Sequence, residues 1–543
     1  MTSRRSFVSK LSGATAGTLL VPHGVPALIT DDKARPATAH GAMVGDVAGD
    51  RAIVWSRTDR PARMVVEWST RASFADARRL VGPAALPETG FTARVDLAGL
   101  PPDQTIVYRV LFQDLADLKT WSLPAAGRFR SAPSRRGPEA FPATGAVYPR
   151  PAASRDVRLA WSADTVGQGW GIDVARGGLR TYETMRRLAP DLFVHCGDTI
   201  YADNPLAAEV PLDDGSAWRN LVTPAKAKVA ETLEEFRGNY LYNLLDENVR
   251  RFNAEVAQVI LWDDHEVLNN WYPTELLDDP RYAEKSVALL AARAKHAFLE
   301  HNPIRYRSDD RERVYRRIPH GPLLDVFAID MRSYRAPNSP NTQAAAGPET
   351  ALLGRVQLDW LMESLALSRA AWKVVASDMP LGLVVGDGPA HFEAVANGEG
   401  GPPLGRELEI AELLRFLRAQ HVRNVVWITG DVHYAAAHHY HPERARFRDF
   451  DPFWEFVAGP LHAGTFGPTP LDPSFGPAVR FLGIPEGMKP NRPPSEGLQF
   501  FGTLDIDHRT RVLTARLHDV AGRVLYSVDL PPEPPLSGRA RRS

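Results

Sequence analysis

A single cysteine, Cys196, stands in 543 residues, and one thiol cannot close an intramolecular disulfide. Stability must come from core burial, which a chain of this length can supply in two or more domains. The lack of disulfides leaves the compartment open, because exported proteins can do without them. Excess charge is also lacking: 64 Lys and Arg face 65 Asp and Glu, a formal net charge of -1. The basic balance of a nucleic-acid scaffold is therefore absent, and an anionic substrate must be caught by local charges or metals. No uninterrupted apolar run approaches the ~18 residues of a membrane-spanning helix, so no transmembrane anchor is expected. Solenoid repeats, a P-loop signature and a Gly-x-Ser-x-Gly elbow are missing too. What remains is ordinary globular composition, 44% hydrophobic and 24% charged.

The amino terminus reads Ser3-Arg4-Arg5-Ser6-Phe7-Val8-Ser9-Lys10, followed by an apolar stretch from Leu11 to Val21 diluted by Gly, Ser, Thr and Ala. Small residues follow near Val25-Pro26-Ala27. This resembles a twin-arginine signal, a receptor-read address and not an anchor; a basic tail with a chance Arg-Arg pair is the plainer alternative. The resemblance implies the twin-arginine export machinery as a partner and a periplasmic or extracellular destination. That route carries folded proteins, so metal could be loaded before export.

Five stretches follow from pattern and composition. Residues 1–36 form the signal and leader. Residues 37–131 read as an all-β sandwich, with short strand candidates such as Arg51-Ala-Ile-Val-Trp-Ser56 and Arg63-Met-Val-Val-Glu-Trp-Ser69. The run from Leu100 through Thr105 to Tyr108 resembles the turn and strand of a fibronectin type III-like module. A Pro/Ser/Arg/Gly-rich stretch, 132–154, reads as a linker. From 155 to 530 short apolar strands alternate with helical patterns, including a long helical region around Lys226 to Asn248, and a terminal antiparallel group ends the series. This is an α/β layered region, a β-sheet core with flanking helices. Residues 531–543 form a tail.

The chemistry follows the apolar strands. Val157-Arg-Leu-Ala-Trp runs into Ser162-Ala163-Asp164, and Leu192-Phe-Val-His-Cys into Gly197-Asp198-Thr199-Ile200-Tyr201. Val259-Ile-Leu-Trp runs into Asp263-Asp264-His265-Glu266, and Val425-Val-Trp-Ile-Thr into Gly430-Asp431-Val432-His433. Four strands thus deliver carboxylates or histidines at their C-terminal ends, the edge where α/β sheets build sites. Oxygen and imidazole donors there suit hard or borderline cations, and so many carboxylates would repel one another without them.

The ordered set Gly-Asp-x-x-Tyr, Trp-Asp-Asp-His-Glu and Gly-Asp-Val-His resembles the PhoD-like branch of the calcineurin-like metallophosphatases. The similarity covers Arg155 to Asp529, with Gly354, Gln357 and Trp360 in support. It implies a metallophosphatase-type sheet core and a phosphate-ester substrate. It also implies two or more metal ions, iron with calcium or another divalent ion. By position, Asp198 matches the bridging aspartate and Tyr201 a ferric tyrosine ligand. Asp264 stands for a metal-binding asparagine, and Asp431 and His433 match the last metal motif. His265 matches the histidine beside the reacting phosphate. Asp263 reads as a supporting residue. Arg332 and Arg335 are candidates for holding phosphate oxygens, with surface salt bridges as the alternative.

Departures matter as well. The family's cysteine after the first strand is missing, and Asp164 is read as the replacement ligand. Cys196 reads as core. No middle histidine ligand is evident, and Asp378 is its candidate equivalent. His438, His439 and His441 read as an exposed loop. The segment Tyr201 to Arg250, with Asp213 and Asp214, is a possible cover of the site. The implied mechanism is two-metal hydrolysis of phosphate monoesters or diesters by a metal-bound hydroxide. A degraded metallophosphatase scaffold serving as an envelope binding protein is the alternative.

Overall fold

The computed structural model describes residues 34–134 and 155–533. The twin-arginine signal, most of the linker and most of the tail lie outside these residues. Two sheets face each other. The first has nine strands, in spatial order Val524–Leu530, Leu513–Asp519, Phe500–Ile506, Val157–Ser162, Leu192–His195, Ala257–Ile260, Ala42–Ala48, Arg51–Arg57 and Thr92–Leu97. The second has seven, in the order Arg316–His320, Leu324–Ala328, Trp372–Ala376, Val425–Thr429, Phe453–Val457, Ala436–Tyr440 and Pro477–Leu482. The strands that carry the site motifs run parallel to one another: Val157–Ser162, Leu192–His195 and Ala257–Ile260 in one sheet, Trp372–Ala376 and Val425–Thr429 in the other.

Side-chain alternation explains the layering. In Leu192–His195, Leu192 and Val194 point between the sheets while Phe193 points outward to helices. In Val425–Thr429, Val426 and Ile428 point inward and Trp427 outward. The inner layer therefore joins Trp161, Val194 and Val259 with Val326, Val374 and Phe456 in one core. Outside the second sheet, helices Gly354–Ala366 and Glu407–Ala419 pack on Phe327, Val375 and Trp427. Outside the first, helices Arg180–Arg187 and Glu247–Glu255 enclose Phe193, and Leu233–Asn243 and Val287–His301 cover Ile260 and Trp262. Buried on both faces, these strands read as short apolar runs, a pattern that does not reveal which sheet each joins. The series expected from sequence divides between two.

The helical region expected from Lys226 to Asn248 is broken. Thr232 accepts from the Glu235 amide while Glu235 reaches back to the Thr232 amide, a capping box that starts Leu233–Asn243. Asp246 then accepts from the Asn248 and Val249 amides and starts Glu247–Glu255.

The amino-terminal strands form a sandwich of unusual connection. A four-stranded sheet, Arg78–Ala85, Ala62–Ser69, Thr105–Asp114 and Ala125–Arg130, packs Val66, Ile106, Val110 and Phe129 into the same core as Val44 and Val54. The opposing strands are the last three of the nine-stranded sheet. Gly45 pairs in parallel with Gln258, so the sandwich and the α/β region share a sheet. A Cβ on Gly45 would lie 2.6 Å from Pro303 Cγ and 2.8 Å from the Gln258 carbonyl oxygen. Gly45→Ala is therefore expected to destabilise the chain by about 1–3 kcal/mol through overpacking. Thermal denaturation checks this, and an unchanged Tm would mean that the junction yields freely.

Candidate metal centre

The C-terminal ends of four strands, three from one sheet and one from the other, meet in buried turns. The backbone turns sharply there: Asp164, Asp198, Asp431 and His433 have φ of 65°, 54°, 68° and 60°. Asp and His tolerate this left-handed region better than bulkier residues, at a cost of about 1–3 kcal/mol each. The turns hold one another. The Thr165 amide donates to the Asp198 carbonyl at 2.8 Å. Glu266 accepts from the Asp198 amide at 3.1 Å and the Asp263 amide at 2.7 Å. Gly459 passes so close that a Cβ would lie 2.2 Å from Asp164 Oδ2, a position only glycine can fill.

The donors gather into three triads. Asp164, Asp198 and His433 form one, Asp198, Asp264 and His265 a second, and Asp263, Asp264 and Asp431 a third. Within each, one ligand atom per residue lies within 4.8 Å of the others. Asp198 belongs to both of the first two, the arrangement expected of a bridging carboxylate. His433 Nδ1 donates to the Gly464 carbonyl at 2.5 Å, which leaves Nε2 with its lone pair. The Tyr201 hydroxyl, 2.9 Å away, donates to that nitrogen. The Tyr201 and His265 rings lie 4.2 Å apart between centroids. Asp264 accepts from the His265 amide at 2.8 Å and the Asn270 amide at 2.7 Å.

The electrostatics call for cations. Neither oxygen of Asp164 has a hydrogen-bond partner, and Oδ2 of Asp263 and of Asp378 are equally bare. Burial, reinforced by neighbouring carboxylates, raises Asp164, Asp198, Asp263 and Asp431 well above the usual carboxylate range. Asp264 goes the other way, to about 2: burial opposes this, and His265, Arg332 and two amides outweigh it. Carboxylates, imidazole and a phenol with bare buried oxygens form a donor set that fits hard or borderline metal ions.

Sequence reasoning missed three residues here. Asp203 accepts from His265 Nδ1 at 2.7 Å and fixes that ring, and its second oxygen accepts from the Asn269 amide at 3.0 Å. Its place five residues after Asp198 was the available signal. Glu266 sits inside the quoted motif. Glu393 carries no local signal, since it follows a two-residue hairpin strand, His391–Phe392, in irregular chain.

Arg332 and Arg335 are both buried, so the alternative of surface pairs fails, and both face carboxylates. Arg332 Nε donates to Asp263 at 2.6 Å, and its guanidinium also meets Glu393 and lies 3.5 Å from Asp378. Arg335 pairs with Glu393 at 3.2 Å. These are internal counter-ions, held from behind by Gln357, which bonds the Asp330 amide and carbonyl at 2.8 and 2.7 Å. Asp378 joins none of the triads and faces Arg332.

The histidines beyond the last motif also differ from the exposed loop expected. His438 is buried in strand Ala436–Tyr440, 2.9 Å from Glu455. Cys196 is core, its sulfur 3.8 Å from the Ile428 carbonyl. Asp213 lies between the short strands Glu209–Pro211 and Ala217–Arg219 and pairs with Arg492 at 3.0 Å, while Asp214 caps Ser216.

Two facing sheets with helices outside, and carboxylates and histidines collected at one edge, define a metallophosphatase-type fold. The chain belongs to the PhoD-like phosphatase family: the model of that family matches residues 159–517, and the model of its N-terminal domain matches residues 24–133. Alkaline phosphatase D of Bacillus subtilis (strain 168) is 26% identical over 424 residues, which is 74% of this chain and 65% of that relative. The chain therefore spans just under two thirds of the length of the curated relative it matches. A solved structure of PhoD superposes with a TM-score of 0.65 at 19% identity, covering 91% of this chain and 93% of the other. Purple acid phosphatase from yellow lupin (Lupinus luteus) seeds superposes with a TM-score of 0.52 at 13% identity, covering 92% and 74%. At these identities the two superpositions speak for the fold.

Asp203→Asn is expected to release the His265 ring and lower turnover about 10–100-fold, with metal content unchanged. Turnover and metal analysis on one sample check this; a matching loss of metal would show that Asp203 holds the centre itself.

Proposed function

We propose that the protein is an exported, metal-dependent phosphoesterase that hydrolyses phosphate monoesters, diesters or both. The observation that carries the proposal is the sharing of Asp198 by two donor triads, and family membership supports the ester class. Asp164, Tyr201 and His433 would hold one cation, Asp264 the other, and Asp198 both, with Asp431 at the margin of the second. Cations bound there would supply Lewis acidity and an activated water. Carboxylates with a phenol suit iron beside calcium or another divalent ion.

The chain's own residues do the rest. Asp198 fixes the spacing of the two sites. Asp203 ties down His265 Nδ1, so Nε2 is the nitrogen left to give a proton to the departing oxygen. His265 is 8% exposed, against 2% for Asp264 and 0% for Asp164, so a substrate meets it before the deeper donors. Glu266 locks the Asp198 and Asp263 turns together, keeping the geometry fixed during reaction. A degraded scaffold is less well supported, because all the donors of both triads are in place.

Export rests on the Arg4-Arg5 pair and the apolar stretch after it. Changing both arginines to lysine should leave the protein inside the cell, and unchanged export would overturn that part. For the chemistry, purified protein should hydrolyse a chromogenic phosphodiester or its monoester analogue. Asp198→Asn and chelated wild type should both lose turnover. Full activity in either would contradict the metal mechanism.

A further inference from the structure

The segment that carries Tyr201 and Asp203 belongs to no strand or helix, so no ladder of its own fixes it. Its carbonyls are held from outside. Thr199 accepts from Asn243 Nδ2 at 2.7 Å, Tyr201 from Lys226 Nζ at 2.7 Å, Ala202 from the Ala230 amide at 2.8 Å and Asp203 from Arg281 Nη1 at 3.3 Å. The Ala202 amide also donates to the His265 carbonyl at 2.8 Å, which joins the segment to the next motif.

Lys226 stands apart among these donors. It ends the turn Pro224–Lys226, is 2% exposed and, among the described residues, forms no ion pair. Asn243 is neutral, Ala230 acts through its backbone, and Arg281 is exposed with Asp279 as its partner. A lysine buried without a paired carboxylate is costly, whether the ammonium is desolvated or gives up its proton, and either form donates to the carbonyl. The turn that bears it is itself anchored: the Lys226 carbonyl accepts from the Leu206 amide at 2.7 Å, and the Ala225 carbonyl from Asn239 Nδ2 at 3.3 Å. The costly contact falls two residues before Asp203, whose carboxylate holds His265 Nδ1 at 2.7 Å.

We propose that Lys226 is a positioning residue of the metal centre: by clamping the Tyr201 carbonyl it fixes the segment that aims Asp203 at His265. The mechanism above needs that ring held, and Lys226 holds its holder. The effect on turnover rests on the phosphoesterase reading, whereas the effect on the ring does not.

The test compares wild type, Lys226→Met, Asp203→Asn and the double variant. Turnover and metal content are measured on each, with the low-field proton resonance of the His265–Asp203 hydrogen bond recorded on protein loaded with a diamagnetic ion such as zinc. Lys226→Met keeps most of the stem and removes the donor. It is expected to lower kcat about 10–100-fold at unchanged metal content and to shift the resonance that Asp203→Asn abolishes. In the Asp203→Asn background it should cost almost nothing further, because both changes act on one ring. An unmoved resonance, an unchanged kcat, a fall in turnover matched by lost metal, or full additivity with Asp203→Asn would overturn the proposal. If wild type hydrolyses no phosphate ester, that reading fails and the resonance alone decides: a shift in Lys226→Met upholds the clamp, and constancy refutes it. Should Lys226→Met not fold, Lys226→Gln, a polar residue on a shorter stem, decides in the same way.

Discussion

Too many buried carboxylates in one place is the constraint on which this structure turns. Asp164, Asp198, Asp263, Asp264, Asp378, Glu266 and Glu393 are all buried near the ends of the central strands. The protein supplies only part of the compensation. Arg332 answers Asp263, Asp378 and Glu393, and amides answer Asp264 and Glu266. Asp164 is left bare. Buried charge without a partner is too costly to be kept as decoration. The arrangement makes sense if the remaining charge belongs to ions that the site is built to receive.

The rest of the fold serves to hold that repulsive cluster in place. Two sheets with a common core bring the turns together from opposite sides, so no single element has to carry all the donors. Four of the site residues sit in left-handed backbone, a strain the dense packing must sustain. Glycines at close approaches, such as Gly459, let neighbouring backbone press against the donors. The amino-terminal strands add width to the first sheet through Gly45 and so stiffen its far side.

Much of this was legible in the sequence, for identifiable reasons. Short apolar runs followed by Asp or His marked the strand ends, because a strand buried on both faces has little polar content until it reaches its edge. Asp164, Asp198, Asp264, His265 and His433 were named that way and do fall into shared triads. What was not legible depends on contacts across the chain. Nothing in Asp330-Met-Arg-Ser-Tyr-Arg shows that Arg332 will be closed in by Asp263 and by Glu393, more than sixty residues away on either side. His438 looked like loop because its neighbours His439 and His441 are polar, yet Glu455 on the adjacent strand satisfies it. Division of the strands between two sheets was hidden for the same reason: burial on both faces looks alike in either.

The central claim is that Asp198 joins two cation sites. Anomalous diffraction from crystals of the full chain, grown with manganese in place of the natural ions, tests it most directly. Two peaks flanking the Asp198 carboxylate, one beside Asp164 and His433 and the other beside Asp264, are the predicted result. A single peak, or peaks that leave Asp198 uncoordinated, would contradict the account.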